Sequence, residues 1–164
     1  MDTNVLVNLG ILIVYIVTAV VIFKTLKENR KLAYLQFYEI IKRHHTEEIT
    51  DLRRKVMTQL ASEAEKAKSA SKPLIETNPD LHLKASVLAN YYEGLAMFLK
   101  GGWDLFPEEA RNTMIEMLHN SVSKTWPTFE RYKDVLYPNR PRDWAQSYQW
   151  LFKEVEKYRK ERDL

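Results

Sequence analysis

Residues 4–31 read NVLVNLGILIVYIVTAVVIFKTLKENRK, and the setting of everything downstream depends on how this stretch is solvated. From Val5 to Phe23 it holds 19 residues without a charge. A helix of that length rises roughly 28 Å at about 1.5 Å per residue, close to the roughly 30 Å of bilayer hydrocarbon. A cleavable signal has a basic start, a shorter apolar core and small residues at its exit. This stretch is preceded by Met-Asp-Thr and leaves through Val-Val-Ile-Phe-Lys-Thr-Leu-Lys, bulky where a peptidase needs small side chains. A helix buried in a soluble core is normally broken by polar positions. The run is therefore predicted to be a permanent transmembrane anchor.

Charge gives the expected orientation. Only Asp2 and the terminal amine precede the run. From Lys24 to Arg43 there are six basic residues, Lys24, Lys27, Arg30, Lys31, Lys42 and Arg43, against Glu28 and Glu39. The positive-inside rule puts the amino terminus outside and the remainder in the cytoplasm, a single pass through an inner membrane. Lys24, Lys27, Arg30 and Lys31 would sit at the membrane surface, each attracted to anionic headgroups by about 1 kcal/mol. Asn8 is the polar residue inside the run, and an unpaired amide in hydrocarbon is costly. Asn8, Leu12, Tyr15, Ala19 and Ile22 recur every three or four residues and share one face. An amide, a phenol and a small residue on one face favour helix association, so Asn8, Leu12, Tyr15 and Ala19 are the expected oligomer contact, or pore face. Hydration of Asn8 at the outer interface is the plainer alternative.

The rest of the chain is ordinary in composition. Of 164 residues, 45% are hydrophobic and 29% charged, room for one modest domain beside an anchor. Mean hydropathy is −0.42, so the apolar run is a local exception. There is no cysteine, which excludes disulfides and thiolate metal sites. A net charge of +3 does not by itself indicate nucleic-acid binding.

Periodicity predicts helices throughout. No Gly or Pro falls between Thr25 and His45, and Leu26, Ala33, Phe37 and Ile41 carry the anchor onward as one long helix. A second helix starts at Thr46 as N-cap, with Glu47 and Glu48 at its positive end. Its apolar face is Ile49, Leu52, Val56, Met57 and Leu60, and it fades into a loop through residues 62–73. Asn78 and Pro79 open a third, ended by Gly101-Gly102, with Leu81, Val87, Leu88, Tyr91, Tyr92, Leu95, Phe98 and Leu99 directed inward. A fourth opens at Pro107 with Glu108 and Glu109 and is kinked or restarted by Pro127. The last follows Pro141 with Trp144, Tyr148, Leu151, Phe152 and Val155 inward. No strand pair with a turn is visible. The expectation is an all-α protein: an anchor and juxtamembrane helix over 1–45, and a cytoplasmic bundle of four to five helices over 46–164.

Three stretches, LANYYEGLAMFLKGGWDLFPEEA (88–110), SKTWPTFERY (123–132) and NRPRDWAQSYQWLFKEVEKYRKER (139–162), resemble the bacterial DUF4760 family. That family joins an amino-terminal membrane helix to a compact helical domain and recurs in prophage and mobile-element settings. The resemblance covers residues 50 to 160 on a pattern of apolar, aromatic and glycine positions. It implies the same architecture and a task in antiphage defence or prophage exclusion, and it supplies no catalytic residues. The layout is also similar to CRISPR-associated accessory proteins that join one membrane helix to a degenerate HEPN-like bundle and act as membrane oligomers.

Few residues suggest chemistry. His44 and His45 are adjacent, so on a helix they point about 100° apart and grip one ion poorly. Both sit at a helix end, where a solvated cation is favoured. His82 and His119 are expected on different helices, without an HxxxH or HxxE partner. The segment RNTMIEMLH (111–119) resembles the Arg-polar-His motif of HEPN ribonucleases, but seven residues separate Arg111 from His119. At that spacing the His swings about 80° away from the Arg around the helix. Trp103, Trp126, Trp144 and Trp150 are expected in the core or against headgroups. Carboxylates are plentiful, but no apolar-flanked pair suggests acid–base work, and no phosphate loop or nucleophile elbow is present. The chain is thus expected to be a self-associating interaction module without cofactor or metal, the alternatives being a CRISPR-accessory-like membrane pore or a HEPN-like membrane-tethered ribonuclease centred on Arg111 and His119. Its expected partners are the lipid bilayer, further copies of itself and an unidentified protein, with nucleic acid the less favoured alternative.

Overall fold

The computed structural model describes the backbone of residues 3–139 and 144–163. Within the first helix, the described side chains are those of residues 15–29, 31, 32, 35, 38, 39 and 42–44. Asn8, Leu12 and Arg30, the stripe residues Ala33, Phe37 and Ile41, and Pro141 lie outside the described residues. The described chain is all helical, with no strand. Its helices are α1 (Thr3–His44), α2 (Glu47–Ser69), α3 (Leu74–Thr77), α4 (Pro79–Gly102), α5 (Glu108–Leu136) and α6 (Gln146–Glu161), with a 3₁₀ turn over Trp103–Leu105. Two compact units emerge, Met1–Tyr38 and Glu39–Leu164.

The first unit is helical because nothing in it breaks a helix; Gly10 is its weakest former and proline is absent. Its described apolar side chains stand in the open: Tyr15 is 69% exposed, Phe23 78% and Val20 61%. Ile16, Val17, Val21, Ile22 and Leu26 are likewise more than half exposed. Among the described residues, no helix is long and apolar enough to cross a membrane. Of the Val5–Phe23 run, the described side chains are those from Tyr15 onward.

In the second unit α2 begins with Glu47 and Glu48 and ends with Lys66 and Lys68, charges that complement its dipole. Thr46 holds the N-cap position but makes no side-chain cap; its hydroxyl donates to the Arg43 carbonyl at 2.8 Å instead. The helix does not fade at residue 62. Ala64 and Ala67 extend the buried stripe of Val56 and Leu60, because small side chains let α2 lie close to its neighbours. At α4 the expected start holds: Asn78 Oδ1 accepts from Leu81 N at 3.1 Å and Pro79 opens the helix. Its inward side is Leu81, Ala85, Leu88, Ala89, Tyr92, Leu95, Ala96 and Leu99. Val87 and Phe98, expected inward, are 48% and 38% exposed on the other side, near Leu83 and Met97.

α5 runs through Pro127 as one element, where a kink or restart was expected. Proline removes one backbone donor. Pro127 itself is exposed, while Trp126, Phe129 and Tyr132 beside it are buried, so side-chain burial on both sides of the proline outweighs the lost bond. α6 packs on α5 and α4, and α2 packs on both of those. The centre is aromatic: Tyr92 stacks on Tyr148 at 4.7 Å and 9°, and Trp126 meets Tyr148 edge-on at 4.9 Å. The Tyr148 hydroxyl bonds Thr125 Oγ1. Burial drives the Tyr148 phenol well above its ordinary pKa, so it stays protonated.

The start of α6 has no local cap. Ala145 precedes it in the left-handed region at φ 63° and makes no side-chain bond. The donors are met from α4: the Glu93 carboxylate accepts from Tyr148 N at 2.8 Å and Ser147 N at 3.3 Å. A carboxylate at a helix start satisfies orphan donors and complements the dipole. Glu93→Ala should therefore lower unfolding stability by about 1–2 kcal/mol, with Glu93→Gln recovering part of it, as chemical denaturation will measure.

Candidate functional site

Four polar residues occupy positions where helical periodicity calls for apolar ones, and the fold brings them together. Arg53 stands one turn before Val56 on the buried stripe of α2. Ser121 and Thr125 lie on the stripe of α5 between Leu118 and Phe129. His44 closes α1 and is fully buried. Tyr92 from α4 completes the group.

His44 Nε2 lies 2.6 Å from Ser121 Oγ and 3.1 Å from Arg53 Nη1, and the same Arg53 nitrogen donates to the Tyr92 hydroxyl at 3.4 Å. A guanidinium only donates, so the Arg53 contact makes Nε2 the acceptor and leaves the imidazole proton on Nδ1. The Ser121 proton has two acceptors in reach, Nε2 and the Leu118 carbonyl at 2.8 Å. Nδ1 is buried and has no hydrogen-bond partner among the described residues. The imidazole stacks on Tyr91 at 5.8 Å and meets Tyr92 edge-on at 5.5 Å. Burial, then the positive charge of Arg53, then His45, push the His44 pKa down to about 3. The solvated cation expected at this helix end is a buried neutral ring instead, because the dipole's attraction is smaller than the cost of desolvating an imidazolium.

His44, Arg53, Ser121 and Thr125 line a cleft of about 630 Å³ between α2 and α5. His45, Thr50, Arg54, Met57, Glu116, Met117, Asn120 and Lys124 complete its walls. A Ser–His contact at 2.6 Å invites comparison with nucleophilic catalysis. That chemistry also needs a group on the far imidazole nitrogen and donors for an oxyanion. The far nitrogen has neither among the described residues, and Ser121 sits mid-helix, where neighbouring backbone N–H groups serve the helix itself. No group of three or more His, Asp or Glu that could hold a metal ion occurs among the described residues.

The residues singled out on the first helix are distributed as follows. Tyr15 and Ala19 are exposed, as are Lys24, Lys27 and Lys31. The side chains of Asn8, Leu12 and Arg30 lie outside the described residues. Arg111 lines a second groove on α5 and α6, with its guanidinium 5.7 Å from the Trp103 ring and with Glu108, Glu154 and Glu161 around it. His119 does not line that groove, and its Nδ1 engages the Glu116 carbonyl at 2.6 Å. The HEPN-like pair is thus not assembled into one pocket. Comparison of the chain with protein-family models, curated proteins and solved structures finds no match.

The lowered His44 pKa has a consequence for stability. An unfolded histidine takes up a proton below about pH 6.5, whereas folded His44 refuses it until about pH 3. Acid therefore favours the unfolded chain, and this contribution is lost progressively from about pH 6.5 downward. Between pH 7.5 and pH 5 it should remove on the order of 2 kcal/mol, measured by urea unfolding at both values. His44→Gln should flatten that dependence; an unchanged dependence would mean that His44 is exposed to water.

Proposed function

We propose that this protein is a single-pass, self-associating interaction module, anchored in a bacterial inner membrane by α1 with the Glu39–Leu164 unit on the cytoplasmic side. The observation that carries the reading is the exposure of apolar side chains at Ile16, Val17, Val20, Val21, Ile22 and Phe23. At 100° per residue these positions point all around the helix, so a single partner stripe cannot cover them. Hydrocarbon solvates every side at once. Lys24, Lys27 and Lys31 follow immediately and are exposed, placed to meet headgroups at the cytoplasmic face.

Self-association rests on the face of Asn8, Leu12, Tyr15 and Ala19, where close packing and an interhelical amide bond replace lipid contacts. The exposed side of α4, with Leu83, Val87 and Met97, adds apolar surface on the second unit. The layout is the one implied by the resemblance to the DUF4760 family, and on that ground the module is assigned to antiphage defence or prophage exclusion. It is assigned no catalytic role.

With no native cysteine, single introduced thiols report without background. Tyr15→Cys and Ala19→Cys should crosslink to dimers in membranes, while Ile16→Cys, about 100° away from Tyr15, should not. Asp2→Cys should be labelled by an impermeant maleimide on intact cells and Asp163→Cys only after lysis. Equal crosslinking at all three helix positions, or none, would refute the contact face; reversed labelling would refute the orientation.

A further inference from the structure

Arg53 is an unusual charge in this protein. It is partly buried, yet none of the ion pairs formed among the described residues includes it. Its bonds go to two neutral groups, His44 and Tyr92. Taking a guanidinium out of water without a counter-ion is costly, and the cost falls when an anion arrives. Its neighbours do not supply one from within the stripe. Arg54 is held by Asp51 at 2.5 Å, Lys124 is a further cation on the cleft wall, and Glu116 is the one carboxylate there among the lining residues.

The cleft is provided with neutral donors as well. Thr50 and Ser121 add hydroxyls, and Met57 and Met117 add adaptable apolar lining. A guanidinium with neutral donors matches the oxygens of a phosphate, which Arg can bind through two parallel bonds. A volume of about 630 Å³ exceeds a bare phosphate and is in the range of small-molecule sites, so the methionines would meet an organic portion.

We propose that this cleft binds the phosphate group of an organic phosphate, with Arg53 as the anchoring cation, Thr50 and Ser121 as neutral donors, and Met57 and Met117 against the apolar part. The phosphate belongs either to a soluble metabolite or to a lipid headgroup; the recognition chemistry is the same. The inference stands on the Glu39–Leu164 unit alone and does not need the membrane reading.

Phenyl phosphate is a suitable probe, titrated calorimetrically into the full chain in a neutral detergent at constant ionic strength. The wild type should bind with a dissociation constant below about 1 mM, and Arg53→Gln should weaken it at least about tenfold. Lys124→Gln should weaken it by a few fold and Glu116→Gln should tighten it, since the one carboxylate on the wall repels the ligand. These two positions are exposed, so their opposite signs carry the test even if Arg53→Gln loses its fold. The source is separated by repeating the titration in nanodiscs with and without phosphatidic acid: competition assigns the site to a headgroup, and its absence assigns it to a soluble phosphate. Binding too weak to saturate at 10 mM, on the order of the weakest specific affinities, overturns the proposal, as does binding that Lys124→Gln and Glu116→Gln leave within twofold of wild type.

Discussion

A helix satisfies its own backbone hydrogen bonds, but not the solvation of its side chains. Between Tyr15 and Leu26, α1 holds eight large apolar residues each more than half exposed. Covering one such side chain stabilises it by roughly 1.5–3 kcal/mol at full burial, so half-burying or better the whole set is worth on the order of 10 kcal/mol. That equals the entire net stability of a typical small domain. A term of this size is not left in water, and the cover has to come from outside the Met1–Tyr38 unit's own helix. The proposed membrane anchoring rests on that magnitude: in that proposal lipid covers most of the circumference and a second helix covers the face that carries Tyr15 and Ala19.

The Glu39–Leu164 unit solves the opposite problem, holding polar groups inside a well-covered core. Its aromatic centre of Tyr92, Tyr148 and Trp126 is apolar packing with hydroxyls that are bonded, as at Tyr148 and Thr125. Next to it lies a group that is not fully satisfied among the described residues: a guanidinium without a carboxylate and an imidazole with one nitrogen that has no partner. Buried polar groups are almost always paired, so an unpaired one marks strain, a ligand or chemistry. The cleft beside His44 and Arg53 gives the ligand explanation a place.

Much of the architecture was legible because it follows local rules. Asn78-Pro79 announces a helix start through geometry internal to four residues, and it is found there. Glu47 and Glu48 mark α2 in the same way. Helix ends read from composition were less secure: Ala64 and Ala67 look like the approach to a loop, yet they are the close-packed end of a buried stripe. Pro127 looks like a break, yet Trp126 and Phe129 hold the helix through it. The capping of α6 by Glu93 spans more than fifty residues and leaves no local trace. The cleft lies between these cases. Arg53, Ser121 and Thr125 at apolar stripe positions are visible in the sequence as violations of periodicity, but which of them meet depends on how α2, α4 and α5 pack. His44 was read by its helix-end position, and burial reverses its charge state.

The most direct measurement is the partition of the full-length chain after cell lysis, followed through alkaline carbonate washing and then through detergent. The account predicts that the chain stays with the membrane pellet through carbonate and is released only by detergent. Recovery of the intact chain in the supernatant before detergent would contradict it, since the apolar surface of α1 would then be covered by something other than lipid.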